Sequence, residues 1–333
     1  MSRAYKVVFE TIKETKMWEI LRLIRIRTIA FAVLTMYAMR YWVILPILEL
    51  NGFTLQMTDR AFSLLVFAVC CLISGACMIN DYFDIRTDRI SGIRDVVVGR
   101  SLSRRSVIVL HSLLNACAVV IAFYLGFAVN VWKIGILFLL VSGILWFYSS
   151  YYKKYFITGT VIAGLLAALI PVSAVIYEIP LLNMAYANIL LETGTNFLYM
   201  FNWMFGFSWF VFLNTLMYEI NKDIYTVEGD EENGYRTIPV ELGIPAARNI
   251  IAGLAAVAML SAGVLYWVEF TASRAILVYL LTAILLPYAA YLVIVRKKDG
   301  NRRLPLRLIR VIMLLCIGVS LFFKHFFQLI FAD

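Results

Sequence analysis

The side chains in this sequence best placed to do chemistry are its carboxylates. Of 21 acidic residues, four fall in the short segment 81–95 and seven in 219–241. A helical advance of about 100° per residue puts Asn80, Asp81, Asp84 and Asp88 within an arc of about 100° on one face. The same spacing puts Glu219 and Asp223 on one face, joined by Asp230 if the helix runs through Gly229. Carboxylates gathered so closely repel one another unless a cation sits between them. Mg²⁺ suits such a set, because it takes oxygen ligands, keeps several waters and binds through one or two carboxylates plus substrate phosphates. Two acidic clusters facing each other, with basic residues between, predict a site for a metal–diphosphate. The plainer reading is a solvated acidic loop neutralised by nearby arginines. Against it, both clusters begin directly at the end of an apolar run. Asn80 also adds in register a neutral oxygen ligand that a solubilising face does not need.

The elements that must position these residues are membrane helices. Hydrophobic residues make up 62% of the 333 and charged residues 15%, with a mean hydropathy of +0.85, whereas soluble domains run at about 45–50% apolar and 25% charged. A spanning helix needs about 20 mostly apolar residues. Nine such runs are present, at 29–48, 62–79, 107–129, 131–152, 157–177, 198–217, 250–268, 275–295 and 308–331. No alternating barrel pattern accompanies them, so the predicted class is all-α, a polytopic bundle of nine transmembrane helices. Nine spans put the two termini on opposite sides. With the N-terminus cytoplasmic, 25 of the 30 Lys and Arg fall on that side; Arg60, Lys133 and Arg274 face the other, and Arg40 and Lys324 lie within spans. The positive-inside rule then predicts a cytoplasmic-membrane protein with its N-terminus in the cytoplasm, its C-terminus opposite and both acidic clusters at the inner mouth. The net charge of +9 is accounted for by this orientation and calls for no nucleic-acid partner.

Residues 1–28 read as a lead-in to a single domain over 29–331. Val8, Ile12, Met17, Ile20, Leu21 and Ile24 fall near one helical face, with Lys6, Lys13 and Lys16 opposite. Such a helix either lies flat on the anionic inner leaflet or stays solvated. The five cysteines all sit in apolar runs and suit packing rather than a disulfide framework. His111 and His325 are far apart, with no metal-ligand neighbours.

The stretch Asn80-Asp81-Tyr82-Phe83-Asp84-Ile85-Arg86-Thr87-Asp88 resembles the N-D-x-x-D-x-x-x-D signature of the UbiA superfamily of membrane prenyltransferases. Glu219-Ile220-Asn221-Lys222-Asp223-Ile224, then Glu228-Gly229-Asp230, Gly234 and Thr237-Ile238-Pro239, resembles its second acidic motif. The form is most similar to the branch containing digeranylgeranylglyceryl phosphate synthases. The resemblance implies a nine-helix bundle that moves a polyprenyl group, geranylgeranyl in that branch, from its diphosphate to a lipophilic or glycerol-phosphate acceptor among membrane lipids. It implies two Mg²⁺ ions, one held by Asn80, Asp84 and Asp88 with Asp81 helping, the other by Asp223 and Asp230 with Glu219 nearby. Asp84, Asp88 and Asp223 become the catalytic carboxylates. Arg100, then Arg94, match a basic position that meets the diphosphate. Lys153 and Tyr148 fall in a tyrosine-and-lysine stretch closing the fourth span, where the lysine would neutralise departing pyrophosphate. Arg25, before the first span, and more weakly Lys222 and Arg236, are further diphosphate candidates.

Three positions depart from the family pattern. Thr226 stands where the second motif often carries Asp, Thr28 where the first span often starts with Asn, and Ser91-Gly92-Ile93 replaces Asn-[Lys/Arg]-Pro. The alternatives are an aromatic or quinone-precursor acceptor, a catalytically silent lipid-binding relative, and a cation-coupled transporter. A transporter places its ionisable groups near the midplane on broken helices. Here Arg40 is the one charge deep in an early span, and the sequence shows no carboxylate paired with it. The enzyme reading requires Asp84 and Asp223 to face a common cavity.

Overall fold

The computed structural model describes residues 16–91, 96–269, 274–296 and 303–323. These residues are almost entirely helical, with no strand among them. The elements are α1 (Lys16–Leu23), α2 (Ile26–Leu50), α3 (Asp59–Phe83), α4 (Ile85–Ser91), α5 (Arg104–Ala128), α6 (Lys133–Ser150), α7 (Thr158–Ser173), α8 (Glu178–Ala185), α9 (Ala187–Thr193), α10 (Tyr199–Glu232), α11 (Ile238–Glu269), α12 (Ile276–Arg296) and α13 (Arg303–Gly318). Among the described residues eight helices are long and apolar enough to cross a membrane: α2, α3, α5, α6, α7 with its extension to Ala185, α11, α12 and α13 with its extension to Phe322.

The expected span at 198–217 lies in α10 but is too polar to join the other eight. This 34-residue helix is rich in aromatic rings and carries Asn202, Asn214 and Asn221. It packs against α4, α7, α11 and α13, and the buried amides of Asn214 and Asn221 are satisfied by protein. Asn214 Oδ1 accepts from Tyr288 Oη at 2.9 Å, and Asn221 Nδ2 donates to Tyr291 Oη at 3.4 Å. An amide shielded from lipid in this way is tolerable inside a bundle.

The described part of the lead-in is α1, after which Arg25 turns the chain with φ 53° into α2. Leu23, at the end of α1, is buried with Met78, Ile85, Val98 and Val107. Glu19 accepts a hydrogen bond from Ser101. The end of the lead-in therefore packs on protein; residues 1–15 lie outside the described residues.

The expectation that Arg40 has no paired carboxylate is corrected. Arg40 sits in a π-turn of α2 (Met39–Ile44) and is buried. Its guanidinium donates to Glu178 Oε2 at 3.1 Å, Asp59 Oδ1 at 3.2 Å and the Met57 carbonyl at 2.5 Å. Glu178 is fully buried and also accepts from the backbone N–H groups of Gln56 and Met57 at 2.5 and 3.2 Å. The partners are separated by 138 residues, so no local pattern announces the pair. It ties the α2–α3 connection to the start of α8, at the end of α3 away from Asp84. Removing one partner of a buried ion pair strands the other charge, at about 3–5 kcal/mol. Glu178→Ala is therefore expected to lose about that much stability in detergent unfolding; an unchanged transition would show that the pair contributes nothing.

Candidate active site

The first acidic cluster forms where α3 gives way to α4. Asp84 is the hinge residue, at φ −87° and ψ 2°, with its N–H bonded to the Asn80 carbonyl at 3.0 Å. The Asp88 N–H returns to the Asp84 carbonyl at 2.8 Å, which stacks the two carboxylates one turn apart. The second cluster is carried by α10, which runs unbroken through Gly229 to Glu232. Asp84, Thr87 and Asp88 line one cleft of about 480 Å³ together with Glu219, Lys222, Asp223, Thr226 and Asp230. Tyr148 and Lys153 close it from the end of α6, Phe156, Gly159 and Thr160 from the start of α7, and Tyr235 and Thr237 from the α10–α11 connection. Asp84 and Asp223 thus share a cavity.

Charge is tightly partnered there. Asp84 Oδ2 accepts from Asn80 Nδ2 at 2.9 Å and from the Lys153 ammonium, while its Oδ1 is buried with no hydrogen-bond partner. Lys222 donates to Glu219 and lies 3.9 Å from Asp223. Thr226 Oγ1 donates to Asp230 Oδ2 at 2.8 Å, so the residue departing from the family pattern orients the next carboxylate. Burial, reinforced by Glu219 and Asp230 against the pull of Lys222, pushes Asp223 up to about 8. Burial likewise lifts Asp230 to about 6, against the Thr226 hydrogen bond. A divalent cation binding there must displace the proton on Asp223 at neutral pH, so its affinity rises as pH climbs towards 8.

The sequence candidates do not all reach the cleft. Asp84, Asp88, Glu219, Asp223, Asp230, Lys153, Lys222 and Tyr148 line it. Asn80 is one step removed, orienting Asp84. Asp81 and Arg25 are not among the lining residues: they bond each other at 2.5 Å, with Asp81 about 100° round α3 from Asn80, at the edge of the arc the four side chains were expected to share. Arg100 is exposed on a tight turn after Gly99 and is not among the lining residues. Arg236 is exposed and bonded to Glu241 at 2.5 Å. Arg94 lies outside the described residues. Thr87, Thr160, Tyr235 and Thr237 join the cleft without having been singled out; Thr237 and the Gly234–Tyr235 step within the second motif were the available signal.

Among the described residues no three His, Cys, Asp or Glu side chains form a ready metal cage. The donor set still fits Mg²⁺. It is all oxygen, it contains an unpartnered buried carboxylate atom, and Mg²⁺ completes its shell with water and substrate phosphate rather than with a full protein cage.

Below the cleft lies an apolar groove of about 950 Å³. Val69, Leu72, Ile73, Ala76 and Cys77 line it from α3, on the stripe that continues to Asn80. Leu137, Phe138, Val141 and Leu145 continue likewise to Tyr148 on α6, and Ala167 and Ile170 lie on the stripe of α7 that begins at Thr160. Three helices therefore each carry one face, at i, i+3 and i+4 spacing, from the polar cleft into the groove. From Cys77 to Val69 alone it runs about 12 Å along the helix.

Fold and site together define a multi-pass membrane protein with an oxygen-lined cleft set over a hydrocarbon groove. The profile of the UbiA prenyltransferase family matches residues 49–314, and the chain belongs to that family. A digeranylgeranylglyceryl phosphate synthase of Methanothermobacter thermautotrophicus is 27% identical over 249 residues, 75% of this chain and 78% of that protein. A solved digeranylgeranylglyceryl phosphate synthase superposes with TM-score 0.59 at 18% identity, over 92% of this chain and 99% of its own. A UbiA homologue from Archaeoglobus fulgidus, solved with DMAPP and Mg²⁺, gives 0.59 at 17% identity over 92% and 99%. At these identities the structural likeness is one of fold.

Proposed function

We propose that the cleft binds a polyprenyl diphosphate through two Mg²⁺ ions and transfers its prenyl group, geranylgeranyl by likeness to the curated relative, to a glycerol-phosphate-bearing lipid. The observation that carries this reading is that Asp84, with its unpartnered buried oxygen, and Asp223 line one cleft continuous in register with an apolar groove. The diphosphate occupies the cleft and the hydrocarbon tail the groove. Bound Mg²⁺ supplies positive charge to the leaving diphosphate as the allylic C–O bond breaks. Asp84 and Asp88 hold one ion, with Asn80 fixing the Asp84 carboxylate; Asp223 and Asp230 hold the other, with Thr226 fixing Asp230. Lys153 and Lys222 place ammonium groups where negative charge accumulates, preorganised and shielded from water. Tyr148 lines the cleft one turn of α6 beyond Leu145 of the groove, and its aromatic ring would stabilise the allylic cation. The acceptor hydroxyl oxygen then attacks carbon one as the C–O bond to the diphosphate breaks, and its proton passes to the departing pyrophosphate.

The concentration of Lys and Arg favours a cytoplasmic N-terminus and puts the cleft at the cytoplasmic face of the cell membrane. Its carboxylates follow the apolar runs of α3 and α10 rather than lying within them, which does not suit a cation-coupled transporter, whose sites lie near the midplane. An anionic acceptor is favoured over an aromatic one by the form of the second motif and by the Lys and Arg around both clusters. Purified protein in lipid nanodiscs, given labelled geranylgeranyl diphosphate and Mg²⁺, is expected to label geranylgeranylglyceryl phosphate and not 4-hydroxybenzoate. Labelling of the aromatic acceptor alone would overturn the acceptor assignment, and labelling of neither would overturn the enzyme reading.

A further inference from the structure

Among the described residues three buried side-chain polar atoms have no hydrogen-bond partner: Arg40 Nε, Asp84 Oδ1 and Thr237 Oγ1. Arg40 belongs to the ion pairs at the far end of α3. The other two line the same cleft. A buried hydroxyl left unpaired is costly and calls for an explanation.

Thr237 is 5% exposed and sits immediately before α11. Its carbonyl takes the ordinary helical bond, from the Glu241 N–H at 3.0 Å. A threonine in this position usually turns its hydroxyl to the N–H two or three residues on. Two residues on is Pro239, which has no N–H, and the hydroxyl makes no bond to Val240 either. Its chemistry is therefore left over for the cleft. The two orphan atoms are complementary in kind. A carboxylate oxygen can only accept, so Asp84 Oδ1 calls for a cation; a threonine hydroxyl can donate, so Thr237 suits an anionic oxygen. A cation-bound diphosphate presents both at once, and Lys153 on the same cleft is the charge partner such an anion needs.

We propose that Thr237 is a diphosphate-binding residue, donating its Oγ1–H to a phosphate oxygen of the prenyl donor and of the pyrophosphate it leaves. This rests on the prenyl-transfer reading above and assigns one more contact within that site. Valine keeps the shape of threonine without the hydroxyl, and serine keeps the hydroxyl. The test measures binding of inorganic pyrophosphate with Mg²⁺ by titration calorimetry, and the melting temperature of ligand-free protein, for wild type, Thr237→Val and Thr237→Ser. One charge-assisted hydrogen bond corresponds to about 10- to 100-fold in affinity. Thr237→Val is expected to weaken pyrophosphate binding by that factor while melting no lower than wild type when ligand-free, because an orphan has been removed. Thr237→Ser is expected to restore most of the affinity. Wild-type pyrophosphate affinity in Thr237→Val would overturn the assignment while leaving the prenyl-transfer reading standing. So would a ligand-free valine protein that melts well below both wild type and serine, since the hydroxyl would then be structural. Failure of wild type itself to bind Mg²⁺-pyrophosphate would overturn both.

Discussion

Asp84→Asn is expected to lower prenyl transfer by about a thousandfold, the several kcal/mol that a metal's charge contributes, at 1.36 kcal/mol per tenfold. The substitution keeps the shape of the side chain and can still accept from Asn80, so α3 and α4 should fold as before. What it removes is the negative charge on the Oδ1 atom that now lacks a partner and on the Oδ2 atom that holds Lys153. Single-turnover rates at saturating Mg²⁺, read beside an unchanged melting temperature, check this. A rate within tenfold of wild type would mean that Asp84 does not carry the cation.

The second large effect has two signs. Lys153 is bonded to Asp84 in the resting cleft, so it competes with any cation for that carboxylate. It is also the ammonium placed to meet the departing diphosphate. Lys153→Met should therefore bind Mg²⁺ more tightly yet turn over about 10²- to 10³-fold more slowly, the scale for losing one preorganised electrostatic contact. Mn²⁺ titration followed by electron paramagnetic resonance reads the first effect and single-turnover kinetics the second. Weaker cation binding together with slow turnover would instead make Lys153 a structural support for Asp84.

Much of this site is legible in the sequence because local geometry carries it. The spacing from Asn80 to Asp84 to Asp88 is that of one helical face, and all three remain stacked across the turn into α4. Asp81 did not stay with them: it stands about 100° round α3 from Asn80, at the edge of the expected arc, and it pairs with Arg25. Asp230 could not be settled from sequence, since glycine weakens a helix without dictating where it ends; tertiary packing carried α10 through Gly229. Arg25 was legible as a basic residue near the site, but its partner Asp81 lies 56 residues away. Arg40 and Glu178 were beyond reach for the same reason. The groove shows the limit most plainly. Each of its three walls has an ordinary apolar stripe, and only the packing of α3, α6 and α7 makes those stripes converge beneath the carboxylates. The span read at 198–217 is the most polar of the nine, because the asparagines of α10 lower its hydropathy, and eight of the described helices are long and apolar enough to cross a membrane.

In the proposed reaction, facing carboxylates from α3–α4 and α10 act through a divalent cation on a prenyl diphosphate. Its most direct test is pyrophosphate release from labelled geranylgeranyl diphosphate, with the glycerol-phosphate acceptor present, across a Mg²⁺ titration of wild type, Asp84→Asn and Asp223→Asn. No release is expected in excess chelator, with saturable rescue by Mg²⁺ in wild type and severe loss in both variants. Release that persists under chelation, or wild-type rates in the two variants, would contradict it.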